Sequence, residues 1–377
     1  MVHLRRLRPG LFLIVFALQT ALAQTPAFRS NSSKKRFCRK VCPLQSVARK
    51  HFSGDSFSLT TRATDREATM LFATTPPEAK RRALREALRS GRLLRFPGAF
   101  SPLVAMLIER LGFDGVYISG AVLSADLGLP DVGLTTLTEV AWRSRQIARV
   151  TGLPAIVDID TGFGEVLNVA RTVQELEEMG LAGCHLEDQV NPKRCGHLDH
   201  KALVPVEEME RKVRAAVQAR RDPNFLIIAR TDARGVEGLE AAIERARAYV
   251  AAGADMIFPE ALQSEEEFAA FRKALPDVPL LANMTEFGKS PLLSAERLEA
   301  LGYNLVIYPV TGLRLAMKAV EEGFRHLLEA GTQEALLDRM QTRKELYELL
   351  QYERYTVFDQ NVYNFRLEET TSSSENQ

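Results

Sequence analysis

Eight short apolar runs recur between residues 93 and 308, each separated from the next by a stretch with helical patterning. Nothing else in the chain restricts its folding so strongly. The runs are 93–96, 115–118, 155–159, 183–186, 226–229, 256–258, 279–282 and 305–308. Each is rich in Val, Ile, Leu or Phe, without clean polar alternation, as strands covered on both faces should be. Helical patterns fill the gaps at 138–150, 165–179, 206–219, 238–252, 264–274 and 294–300. Gly180, Gly253 and Gly302 stand where a left-handed cap closes a helix just before the next strand. A further helix is predicted over 78–89, ahead of the first strand. Another helical region covers 311–350, broken near Gly331.

Eight strands alternating with helices in one domain predict an α/β fold, a closed (β/α)8 TIM-type barrel with additional C-terminal helices. The runner-up is a doubly wound open sheet. Against it, no G-x-G-x-x-G follows the first strand. There is no internal repeat beyond the βα rhythm.

The barrel occupies the body of the chain, 66–360. Ahead of it, residues 1–54 hold eleven Lys or Arg and no acid, whereas the remainder holds 38 basic against 48 acidic residues. The overall charge of +1 therefore hides an acidic body. An acidic body argues against nucleic acid as partner, since backbone binding needs basic patches. Residues 1–65 read as a targeting leader, cleaved or disordered in the mature protein. Arg5, Arg6 and Arg8 precede the apolar run 11–18, and Ala21-Leu22-Ala23 resembles a signal-peptidase site. The Arg/Lys/Ser-rich stretch that follows is like an organellar transit peptide. The expected address is the mitochondrial matrix, with another organelle through a two-part leader, or secretion, as alternatives. The run is too short for a comfortable membrane span, and no stable membrane association is expected of the body. Cys38 and Cys42 fall in the leader; Cys184 and Cys195 remain and form no disulfide pattern. The polar segment 361–377 reads as disordered.

In barrels of this kind the chemistry sits where strands end and loops begin on the C-terminal side. Here six consecutive exits carry polar groups. They are Ser119-Gly120, Asp158-Ile159-Asp160, Glu187-Asp188, Arg230-Thr231-Asp232, Pro259-Glu260 and Asn283-Met284-Thr285-Glu286. Asp158, Asp160, Glu187 and Glu260 offer hard oxygen ligands, which favour Mg2+ or Mn2+ over zinc. Ser119, the Gly120 amide, Arg230, Asn283 and Thr285 are donors suited to an anionic, multi-carboxylate substrate. A cation that polarises a carbonyl, with donors that stabilise an enolate, serves carbon–carbon cleavage beside a carbonyl. Just past the fourth strand lies Lys193-Arg194-Cys195-Gly196-His197. It places a thiol between two cations and a histidine, surroundings that favour a thiolate and suit proton transfer.

These motifs resemble the isocitrate lyase/phosphoenolpyruvate mutase superfamily. The likeness runs collinearly from about Leu84 to Tyr352. It rests on Ser119-Gly120, 127–131, 158–164, 185–189, 193–197, 229–233, 258–261, 283–288, Tyr308-Pro309, Arg314 and 340–343. The resemblance implies Mg2+-dependent cleavage of (2S,3R)-2-methylisocitrate, a small tricarboxylate, to pyruvate and succinate. It implies metal binding by Asp158 and Asp160, with Glu187 alongside. Substrate contacts would come from Ser119, Gly120, Ala121, Cys195, Gly196, Arg230, Glu260, Asn283, Thr285, Arg314 and Arg343. Cys195 would protonate the departing aci-carboxylate, with Lys193, Arg194 and His197 setting its charge state. Tyr117 or Asp131 would take the hydroxyl proton. A homotetramer with exchanged C-terminal helices is also implied. In one respect the chain departs from the family pattern: Ala121 replaces the third residue of a Ser-Gly-Gly run. Two alternatives remain at this level, cleavage of isocitrate and a non-catalytic barrel scaffold.

Overall fold

The computed structural model describes residues 75–363. The predicted leader, and the tail beyond residue 363, lie outside the described residues. The described chain begins with α1 (Pro77–Arg89) and then alternates. The strands are β1 (Leu94–Pro97), β2 (Val116–Ile118), β3 (Ala155–Asp158), β4 (Gly183–Glu187), β5 (Leu226–Thr231), β6 (Met256–Pro259), β7 (Leu281–Asn283) and β8 (Leu305–Tyr308). The helices between them are α2 (Pro102–Arg110), α3 (Gly120–Asp126), α4 (Leu137–Ala148), α5 (Val166–Glu178), α6 (Val206–Ala219), α7 (Leu239–Ala251), α8 (Glu265–Ala274) and α9 (Ala295–Ala300). After β8 come α10 (Thr311–Ala330), α11 (Arg343–Leu349) and α12 (Tyr352–Tyr363).

All eight predicted strands form, and all pairings are parallel. Two sheets, β2-β3-β4-β5-β6 and β7-β8-β1, carry the ladders. Each seam between them has one parallel bridge, Gly98 with Tyr117 and Ile257 with Leu280. Neighbouring strands therefore follow one another round the ring in chain order, the arrangement of a TIM-type barrel.

Two short helices escaped the sequence reading. Ser101 caps α2, with Pro102 in its first turn. Ser119 caps α3 by accepting a hydrogen bond from Val122 N at 3.4 Å. Both are too short for periodicity to reveal. The region 311–350 breaks as expected, with Gly331 in the left-handed conformation at φ 68°. Helix α12 runs to Tyr363, so the start of the segment assigned to a disordered tail is helical; no Gly or Pro interrupts it. Among the described residues no helix is long and apolar enough to cross a membrane.

The core has two compartments, separated by strand period. Outward residues such as Val157, Ile227, Ile257 and Val306 pack under the helices. Inward residues Phe96, Tyr117, Ile156, Ile228, Phe258, Leu281 and Ile307 fill the barrel, with Leu84 and Leu88 of α1 closing its floor. Helix α1 is pinned there by buried cations. Lys80 Nζ donates to Ala148 O at 2.9 Å, and Arg81 Nε to Leu181 O at 2.9 Å.

Candidate active site

One residue pair higher along each strand, the inward positions change character. Tyr117 gives way to Ser119, Ile156 to Asp158, Ile228 to Arg230, Phe258 to Glu260 and Leu281 to Asn283. Every one of these upper residues is buried. Strand register sets them side by side, Asp158 beside His185 and Glu187 beside Arg230. The polar mouth is thus the continuation of the apolar core.

Asp158 Oδ2 accepts from Gly120 N at 3.2 Å, and Oδ1 from Asp160 N at 3.0 Å. Asp160 has a left-handed backbone, φ 48°, a conformation Asp tolerates. That turn keeps it beside Asp158. Burial opposes ionisation of Asp158, yet His185, Lys193 and Arg230 outweigh it and hold this carboxyl below the ordinary range. Burial and the Asp158 charge push Asp160 up to about 6. Glu187 is driven well above its usual value, again by burial, with Arg230 only partly offsetting.

These carboxylates fit a hard divalent cation. Both Glu187 carboxyl oxygens and Asp160 Oδ1 are buried without a formed hydrogen bond, and their contacts are ion pairs, Glu187 with Arg230 Nε at 3.2 Å and Asp160 with Lys193 Nζ at 2.9 Å. Buried carboxylates in excess are what Mg2+ or Mn2+ would satisfy. Among the described residues no three His, Cys, Asp or Glu side chains are grouped so as to hold a metal ion together. A cation here would take one or two carboxylates directly and reach the others through water. Lys193 supplies positive charge meanwhile. Its Nζ lies 2.9 Å from Asp160 Oδ1 and bonds Asp131. Four surrounding carboxylates outweigh its burial and keep it charged.

Arg230 is the electrostatic hub of the other side. Its Nε lies 2.9 Å from Asp232 and 3.2 Å from Glu187, and one terminal nitrogen is 3.3 Å from Glu260. Glu260 also accepts from Ala261 N at 2.8 Å and from Asn283 Nδ2 at 3.2 Å. Burial disfavours its charge, but Arg230 and His197 dominate and hold it well below the usual carboxylate range.

The Cys-bearing loop closes over this ring. Its ends are tied by Val190 N to Ala202 O at 2.8 Å and Val204 N to Asp188 O at 2.9 Å. The Gln189 side chain holds the Arg194 backbone through two bonds of 2.9 Å. Gly196 fits only because it lacks a side chain: a Cβ there would collide with Arg230 and Glu260. Cys195 is thereby brought to the cavity lined by Tyr117, Ser119, Ala121, Asp131, Asp158, Arg230, Glu260, Asn283 and Thr285, among others.

Two expectations about the thiol need correction. The thiol does not sit between two cations. Lys193 is engaged by Asp131 and Asp160, and Arg194 is exposed, so Arg194 has no part in the cavity. Burial pushes the Cys195 thiol up, with the His197 amide only partly opposing. That shift favours the protonated thiol over a standing thiolate. In the single chain Arg314 stacks over Phe287 at 5.0 Å and lies 3.6 Å from Glu286, and Arg343 is exposed on α11; neither lines this cavity within one subunit.

The reading from sequence also passed over His185. Its Nε2 is 2.7 Å from Tyr117 OH, and burial lowers its pKa to about 4, so it is neutral. Its inward position, two residues before Glu187, was the available signal. Asp188 proves to be scaffolding. Thr231 Oγ1 donates to it at 2.7 Å, Tyr249 OH at 2.8 Å and Asp232 N at 2.9 Å.

A parallel barrel whose C-terminal mouth joins paired carboxylates, an arginine and a thiol defines an enzyme for small anionic substrates. A family model described as phosphoenolpyruvate phosphomutase matches residues 84–328, and the chain belongs to the phosphoenolpyruvate mutase/isocitrate lyase superfamily. A probable 2-methylisocitrate lyase of Corynebacterium glutamicum is 65% identical over 287 residues, 76% of this chain and 94% of that one. A 2-methylisocitrate lyase of Aeropyrum pernix is 51% identical over 287 residues, 76% of this chain and 92% of that one. Among solved structures, phosphonopyruvate hydrolase in complex with oxalate and Mg2+ matches with a TM-score of 0.70 at 35% identity, covering 75% of this chain and 99% of that one.

Proposed function

We propose that the protein is a Mg2+-dependent lyase that splits (2S,3R)-2-methylisocitrate into pyruvate and succinate, with Cys195 as the proton donor. The observation that carries the reading is the Cys195 side chain lining the same cavity as Asp158, Arg230, Glu260 and Asn283. The names of the relatives support the substrate. Asp158, Asp160 and Glu187 would hold the cation, which supplies Lewis-acid polarisation of the forming carbonyl. Mg2+ in the phosphonopyruvate hydrolase complex supports its identity.

The substrate hydroxyl loses its proton to Tyr117 or to Asp131, both of which line the cavity. Its electrons close the carbonyl of pyruvate as the bond to the succinate fragment breaks. The pair left on that fragment spreads into its carboxylate as an aci-carboxylate. Cys195 returns a proton to the carbon, and the resulting thiolate rests against the His197 amide. Ser119, the amides of Gly120 and Ala121, Gly196, Arg230, Glu260, Asn283 and Thr285 orient the carboxylates. The test is a paired assay, pyruvate from 2-methylisocitrate beside glyoxylate from isocitrate. A higher kcat/KM for isocitrate would replace this substrate with the other. Normal turnover by Cys195→Ser would remove the acid.

A homotetramer with exchanged C-terminal helices belongs to the same proposal. Its support is the apolar surface of α10, where Phe324 and Leu328 are 69% and 87% exposed in the single chain. Exchange would also give Arg343 a route to a neighbouring subunit's rim. Sedimentation analysis decides the assembly. The mitochondrial address rests on the basic composition of 1–54, and a fusion of residues 1–60 to a reporter tests it against secretion.

A further inference from the structure

The cavity beneath the Cys-bearing loop holds only about 60 Å3, against roughly 300–1,000 Å3 for ordinary ligand pockets. The Cys-bearing loop rests on the loop after β7. Phe287 stands there with φ 60° and is 92% exposed. A left-handed phenylalanine is costly and needs a reason. Beyond it the chain reaches the Cys-bearing loop. Lys289 N donates to His197 Nδ1 at 3.0 Å, and Lys289 Nζ bonds Asp199. The imidazole lies so close to Gly288 that a Cβ there would stand 2.7 Å from Nδ1 and 2.9 Å from Cε1.

With Nδ1 accepting from Lys289 N, Nε2 is left to donate, and it lies 3.1 Å from Glu260 Oε1. The amide of His197 in turn supports the Cys195 sulfur. Asn283 and Thr285, at the base of the same β7 loop, line the cavity.

We propose that Gly288 and the Lys289 backbone amide are positioning residues: they form the seat on which His197 docks, and through it they set Cys195 in its acid position. The loop that lines the substrate cavity thus also holds the acid in place. Gly288 needs no left-handed backbone, so Gly288→Ala leaves the β7 loop unstrained and displaces only the imidazole. The inference rests on the lyase reading for its kinetic arm alone.

The test follows two signals in the full-length protein. In Gly288→Ala, the rate of Cys195 alkylation by iodoacetamide, read by peptide mass spectrometry, should rise severalfold, and kcat should fall about tenfold with KM within about twofold, as expected for a misplaced catalytic group. Adding His197→Ala should cancel the alkylation effect of Gly288→Ala. An unchanged alkylation rate, or a faster one with normal kcat, overturns the proposal. Should Gly288→Ala not fold, hydrogen exchange at the Lys289 amide decides. It should quicken in His197→Ala, and equal exchange in both proteins overturns the seat. If no lyase activity exists at all, the alkylation and exchange arms still judge the docking separately.

Discussion

The floor and the mouth of the barrel are built from one series of inward positions, two residues apart, yet they behave as opposite materials. Below lie Ile156, Ile228, Phe258 and Leu281, fully buried and apolar. Directly above lie Asp158, Arg230, Glu260 and Asn283, nearly as buried but charged or polar. The floor is stabilised by leaving water. The mouth gains little from that and is held by mutual electrostatics, Arg230 against three carboxylates. The difference teaches that stability and chemistry can share a strand when one step of the pleat separates them.

The comparison is broken most severely by Cys195→Ser. We expect turnover to drop about 10³-fold, within the range for losing a general acid, with the melting temperature nearly unchanged. A large loss of stability would show that the mouth also carries the fold. Ile228→Ala, at the floor, should do the reverse. It should cost about 2–5 kcal/mol of stability, the range for truncating a buried Ile, and leave KM nearly unaltered in urea-unfolding and steady-state measurements. A mutant with native stability and damaged catalysis would erase the division.

A smaller effect sharpens it. With its folded pKa raised to about 6, Asp160 favours the cation-free fold while protonated. That contribution is complete below its ordinary value of 3.8 and is lost as pH rises through about 6. Glu187 shifts in the same direction. The melting-temperature gain from Mg2+ over EDTA should therefore widen between pH 5 and pH 7, as ionised carboxylates become available. A gap independent of pH would sink this reading of the carboxylates. The smallest effect lies outside both regions. Thr136 forms a capping box with Glu139 on α4, and Thr136→Ala should cost only about 1 kcal/mol by thermal unfolding, with kcat unchanged.

Much of this was legible in the residue order. Continuous apolar runs identify buried strands because both faces of a parallel barrel strand are covered. Polar strand exits identify the mouth because loops on that side converge. Short helices were not legible. Helix α3 begins with Gly120 and depends on the Ser119 cap and on the burial of Val122 and Leu123. Arg194 was misread because adjacency in sequence does not fix direction. Gln189 grips its backbone and leaves the guanidinium outside. His185 was quoted within a motif but given no role, since only the folded barrel shows that its ring meets Tyr117.

The order of residues alone determined the eight-strand rhythm, the acidic body and which strand tips bear ionisable groups, since local periodicity and composition need no knowledge of distant neighbours. Tertiary structure decided the charge state of those groups. Burial raised the Cys195 thiol and the Asp160 carboxyl, and Lys193 paired with two carboxylates. Those outcomes depend on desolvation and on charges brought together from loops dozens of residues apart, which no linear pattern contains.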